Sequence, residues 1–152
     1  MTPTKIRQKT VAAKAQGIRE MLAAITSLPL ASAAEFSSDI RMVAAGESFL
    51  RRSLEGLLDL GRHILAKAFG KVVPEYAAVA DELAAQGILA PDDAQKLRLM
   101  ARYRNRMVHF YDDVTPAELY GILSDERGDV EAVLAAILAW LAAHPEVSTD
   151  EL

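Results

Sequence analysis

The chain has 152 residues, of which 51% are hydrophobic and 25% charged, a formal net charge of −4, and no cysteine. That length suits one domain with a sizeable core. The missing cysteines exclude a disulfide framework, a thiolate metal site and a cysteine nucleophile, and the acidic balance argues against binding nucleic acid with the surface as a whole.

The basic start, MTPTKIRQKTVAAKAQ, lacks the long apolar core of a signal peptide. No apolar run approaches the ~20 residues of a membrane span, so the expected compartment is the cytoplasm. Alanine is abundant, β-branched residues are few, and the periodicity is helical almost throughout. The first helix is expected over about residues 3–27, with Pro3 in its first turn, Val11, Ala15, Ile18, Leu22 and Ile25 on one stripe, and Pro29 as its stop. A loop over about residues 28–37 follows. Ser38 or Asp39 then caps a long helix over about residues 40–69, and Gly70 ends it.

Pro74 is expected to open a third helix ending at Gly87, and Pro91 a fourth carrying Leu97, Met100, Met107 and Val108. The tetrapeptide TPAE is a capping box: Thr115 as cap, Pro116 at the first helical position, Glu118 reaching back. It starts a helix to about residue 124. Gly128 and Asp129 suggest a break, and a last helix runs to Ala143 before His144 and Pro145. Residues 146–152 read as a frayed tail. Connections are short, which favours antiparallel neighbours. The fold expected is a single-domain, all-α bundle of about five or six helices over residues 1–152.

Charge is not spread evenly. Residues 94–111 carry Lys96, Arg98, Arg102, Arg104 and Arg106 with no acid, whereas ten acids and one arginine, Arg127, lie from Asp112 onward. The stretch RYRNRMVHFYDD, residues 102–113, adds Asn105, His109 and Tyr111 to those cations. One reading is purely structural: arginines near a helix C-terminus complement its dipole by roughly 0.3–1 kcal/mol each, and a histidine caps the last carbonyls.

The other reading is chemical. On an ideal helix Arg102, Asn105, Arg106 and His109 share a stripe, while Arg104 lies ~140° from His109. Arg104 therefore meets His109 only if the helix deforms, if its side chain curls round, or if a second subunit completes the site. Arginine grips phosphate with a planar fork of donors, and histidine gives or takes a proton near neutral pH. Together they are a minimum set for metal-free RNA cleavage. The histidine assists the 2′-hydroxyl or the departing 5′-oxygen, and the arginine neutralises charge on the phosphorane. One histidine hardly serves as base and acid at once; a two-fold dimer supplies two.

Here the sequence resembles a known family. The pattern R-x-x-x-x-H-x-Y, met by Arg104, His109 and Tyr111, is similar to the signature of HEPN-domain ribonucleases, and RNRMVHFY looks like their HepT-like toxin branch (type VII toxin–antitoxin). AAGESFLRRSLEGLLDLGRHILAK (44–67), VPEYAAVADELAAQGIL (73–89) and KLRLMARYRNRMVHFYDDVTPAELYGIL (96–123) resemble that branch's segments in the same order. The resemblance covers about residues 39–141. It implies an all-α homodimer with an interfacial cleft, and a metal-independent endoribonuclease with Arg104 and His109 as catalytic pair and Asn105 in support. It further implies neutralisation by a small nucleotidyltransferase (MNT-type) antitoxin that attaches AMP to the Tyr111 hydroxyl. Such a modification adds charge and bulk where the RNA backbone would lie. ATP and a divalent metal are needed by that transferase, and no cofactor by this chain. Arg102 fits the looser family spacing, but Arg104 is preferred because Asn105 follows it; Arg102 and Arg106 are then candidate RNA phosphate ligands. The alternative is a HEPN dimer that binds nucleotide or scaffolds a nucleotidyltransferase without cleaving.

Glu55, Asp59 and His63 stand one helical turn apart. They are candidates to line the cleft opposite the motif helix, or a metal; the plainer reading is a solvated or interface face. The scattered glycines form no phosphate loop.

Overall fold

The computed structural model describes residues 2–109 and 113–150. Among them run seven α-helices: α1 (Gln8–Thr26), α2 (Ala33–Ser37), α3 (Ile40–Phe69), α4 (Val79–Ala85), α5 (Pro91–His109), α6 (Pro116–Asp125) and α7 (Arg127–Ala143). Two short strands, β1 (Ile6–Arg7) and β2 (Ser148–Thr149), pair in parallel. The bundle is all-α as expected, and no described helix is long and apolar enough to cross a membrane.

The central element is α3, which touches every other helix. Leu50, Leu54, Leu57, Leu58, Leu60, Ile64 and Leu65 are all at most 1% exposed. They occupy more than one stripe, because the helix is packed on several sides. Burying each such side chain contributes roughly 1.5–3 kcal/mol, so this helix holds much of the core. Its ends follow the sequence: the Asp39 carboxylate accepts from the Arg41 N–H at 3.0 Å, and Gly70 takes the left-handed conformation at φ 63° that stops the helix. At Gly61 an added Cβ would stand 2.9 Å from Val79 Cγ1 and 3.0 Å from Leu83 Cδ1. The missing side chain is what lets α4 lie this close against α3.

Several boundaries differ from expectation. The first helix begins at Gln8 and not near Pro3, because Ile6 is fully buried in extended backbone. The same pairing corrects the frayed tail: a 3₁₀ turn at Pro145–Val147 leads into Ser148–Thr149, which lies beside Ile6–Arg7. The loop over 28–37 contains α2, capped by Ser32 and anchored by the fully buried Phe36. That adds a helix to the five or six expected. Pro74 does not open the third helix. Glu75 remains extended, and a 3₁₀ turn at Tyr76–Ala78 precedes α4. The break expected at Gly128 falls earlier, at Glu126, and Gly128 lies in the first turn of α7. Thr115 caps α6 as its sequence indicates, accepting from the Glu118 N–H at 3.1 Å.

Candidate functional site

Helix α5 remains helical through His109. It packs on α3, with Ala94, Leu97, Met100, Ala101 and Met107 buried. This burial turns Arg104, Asn105 and His109 toward a polar cleft of about 510 Å³, whose other walls are Arg62 and the segment Pro74–Ala77. Neither an unwound helix nor a second subunit is required for Arg104 and His109 to border one cleft. The cleft is wide enough to span the ~140° between them.

The Arg104 guanidinium is fixed on three sides. Its Nε donates to Glu55 Oε1 at 3.3 Å, its Nη1 donates to Asn105 Oδ1 at 3.2 Å, and its Cζ lies 4.7 Å from the centre of the Tyr76 ring. Glu55 Oε1 is shared with Arg51 Nη1 at 3.4 Å. Arg62 is held similarly: Nη2 donates to Asp59 Oδ1 at 2.7 Å, Nη1 to the Pro74 carbonyl at 3.1 Å, and Cζ lies 4.5 Å from the same ring centre. The Tyr76 hydroxyl donates to Asp59 Oδ1 at 2.7 Å. Burial first, then the Asp59 hydrogen bond and charge, push this phenol up to about 12. Two cations over one aromatic ring are an arrangement that desolvation strengthens. It ties the cleft wall to α3 through two carboxylates.

The remaining candidates separate. Glu55 and Asp59 stand behind the cleft as anchors of its two arginines. His63 does not line it: the ring borders a different pocket with Lys5, Arg7, Thr10 and Lys67. No described group of three or more His, Asp or Glu could hold a metal ion. Arg106 is not free for phosphate, because it donates to Asp113 Oδ2 at 2.7 Å and to both Glu118 oxygens at 2.6 and 2.9 Å. The Glu118 side chain is therefore engaged with Arg106 and does not reach back to its cap. These bonds hold the Arg106 proton more tightly than usual. Arg102 is exposed, outside the cleft, and ion-paired with no described residue. His109 is exposed at the end of α5. Tyr111 lies outside the described residues. The sequence reading missed Tyr76 and Arg62. Arg62 carried a signal, being three residues after Asp59 on one helix face; Tyr76 carried none, since its partners come from distant segments.

Fold and site together define an α-helical bundle that gathers arginine, asparagine and histidine around one polar cleft. The chain matches the Ribonuclease HepT-like family over residues 18–137 and belongs to it. It is similar to the tRNA nuclease HepT of Aphanizomenon flos-aquae (strain 2012/KM1/D3), with 30% identity over 91 residues. That match covers 59% of this chain and 61% of the relative, so the chain spans less than two thirds of the relative's length. Among solved structures it is similar to a tri-AMPylated Shewanella oneidensis HEPN toxin in complex with MNT antitoxin, with TM-score 0.76 and 19% identity over 85% of this chain and 96% of the other. The Bacillus subtilis protein YutE, a cytosolic protein of unknown function, gives TM-score 0.75 and 17% identity over 96% of each chain. At these identities the structural likeness is one of fold.

Proposed function

We propose that this chain is the ribonuclease toxin of a toxin–antitoxin pair and cleaves RNA without a metal ion. The observation that carries the reading is the convergence of Arg104, Asn105 and His109 on one cleft of a HepT-like bundle. The His109 imidazole would take the proton of the ribose 2′-hydroxyl as the 2′-oxygen attacks phosphorus. The bond from phosphorus to the 5′-oxygen then breaks, leaving a 2′,3′-cyclic phosphate and a 5′-hydroxyl. A second histidine, from the other copy of a two-fold dimer, would supply the proton to the leaving oxygen.

Arg104 suits the anionic centre. Its Nε and Nη1 are held by Glu55 and Asn105, and its Nη2 has no described hydrogen-bond partner. A donor fixed before the substrate arrives stabilises developing charge without reorganising. The proposed antitoxin is an MNT-type nucleotidyltransferase, which would use ATP and a divalent metal to attach AMP to Tyr111. The added phosphate charge would oppose binding of RNA. The complex of the Shewanella toxin with MNT antitoxin supports that choice of partner.

The test is to express the chain alone, beside His109→Ala, and assay RNA cleavage in excess EDTA. Wild type should arrest growth and produce cyclic-phosphate ends, and His109→Ala should do neither. A wild type that cleaves no RNA would leave the non-cleaving HEPN dimer, binding nucleotide or scaffolding its transferase. Mass spectrometry after co-expression with the transferase reads the modification, and unmodified Tyr111 would remove that part of the proposal.

A further inference from the structure

A second cationic pocket lies where α3 meets β1 and the start of α1. It encloses about 350 Å³ and is lined by Lys5, Arg7, Thr10, His63 and Lys67. Among the described residues no carboxylate lines it, although the chain carries more acids than bases. Elsewhere the arginines of the bundle are largely matched with acids, as in Arg19 with Glu131, Arg98 with Asp81 and Arg106 with Glu118. Arg7 and Lys67 form no ion pair with any described residue, while Lys5 donates to the Glu146 backbone carbonyl.

Two further features point the same way. His63 Nε2 is buried and has no hydrogen-bond partner among the described residues. Buried polar atoms are normally partnered, and an orphan asks for a ligand or an exchange of state. No side chain caps the N-terminus of α1, which begins at Gln8 beside Arg7. The positive end of that helix dipole adds to the field of the side chains. Lys14 from α1 and Lys67 from α3 face His63 and, after burial, hold its ring below the usual histidine range. Like charges gathered around a hydroxyl and an imidazole are what an incoming oxyanion would neutralise.

We propose that this pocket binds a phosphate group, held by Arg7, Lys67 and Lys5 with the Thr10 hydroxyl and the His63 ring in support. Arg62 of the cleft and His63 of the pocket are consecutive on α3. The pocket therefore stands one residue's rotation round the helix from the cleft, ~100°. An RNA backbone phosphate away from the scissile bond and the phosphate of a free small molecule share the chemistry this pocket offers. The backbone assignment rests on the ribonuclease reading above; phosphate binding itself does not.

The experiment follows the His63 ring by NMR in the full chain, with His63→Gln used to assign its Hε1 resonance. One arm titrates pyrophosphate. The other titrates a 2′-O-methyl oligoribonucleotide, which lacks the attacking hydroxyl, so binding is read whether or not the chain is a nuclease. Saturable movement of the His63 resonance is expected, weakened roughly tenfold or more in an Arg7→Gln/Lys67→Gln double variant. Both substituted residues are exposed, so the fold should tolerate the change. Response to the oligonucleotide at concentrations where pyrophosphate is silent assigns the backbone; the reverse assigns a free phosphate compound. No movement with either probe, or equal movement in the double variant, overturns the proposal.

Discussion

Arg104 and Arg106 stand two residues apart on one helix and occupy different environments. Arg106 faces the start of α6, where Asp113 and Glu118 accept from three of its nitrogens. It is a fastener between α5 and α6. Arg104 faces α3, where a single Glu55 oxygen is divided between it and Arg51, and the Tyr76 ring covers one side. It remains in an open cleft with one edge unused. Which arginine keeps a donor free is decided by which has fewer carboxylates around it, and helix position alone does not say so.

The comparison predicts different phenotypes. Arg104→Ala should lower RNA cleavage by ~10²–10³-fold, the usual effect of losing a preorganised donor to an anionic transition state. His109→Ala should cost ~10²–10⁴-fold. His109→Ala should leave thermal unfolding nearly unchanged, and Arg104→Ala, which gives up the Glu55 ion pair, should lower Tm by a few degrees at most. Arg106→Gln should lower Tm by a similar amount, as for a partly exposed ion-pair network, while cleavage survives. An Arg106→Gln variant as inactive as Arg104→Ala would erase the distinction. Parallel single-turnover assays and melting curves on the three variants decide it.

Tyr76 offers a finer cut through the same wall. Tyr76→Ala removes the ring beneath both cleft guanidiniums and should reduce cleavage about tenfold, in line with a partly desolvated cation–π contact. Tyr76→Phe retains the ring and should retain most of the activity. Equal loss in both would mean that the Asp59 hydrogen bond, and not the ring, positions Arg104.

The helices were legible because their signals are local. Asp39, Gly70, Thr115 and Pro116 act within a few residues, and each sits where its chemistry placed it. What the sequence withheld comes from distance. Arg104 meets Glu55 across 49 residues of chain, and Lys5 meets Glu146 across 141. The docked C-terminal segment needed Ile6 to be core and not helix, which a two-residue strand does not announce. His63 shows the limit of stripe arguments. It lies ~40° from Asp59 on an ideal helix, yet α3 is packed on so many sides that this small rotation moves it from the Arg104 cleft to the α1 side.

The smallest effect tests the environment of Tyr76 directly. In the folded chain burial and Asp59 raise its phenol from 10.0 to about 12. The unfolded chain therefore gives up this proton first as pH rises, and the folded state is favoured only while the phenol is neutral. The stabilisation is fully present below about pH 10 and disappears as pH climbs through about 12. Tyr76→Phe, with no proton to lose, should lack this dependence. The difference in Tm between wild type and Tyr76→Phe should thus be constant up to about pH 10 and shrink toward pH 12. A difference that stays flat across that window would mean that Tyr76 is neither buried nor bonded to Asp59 in solution, and that Arg104 and Arg62 are held by their carboxylates without the ring.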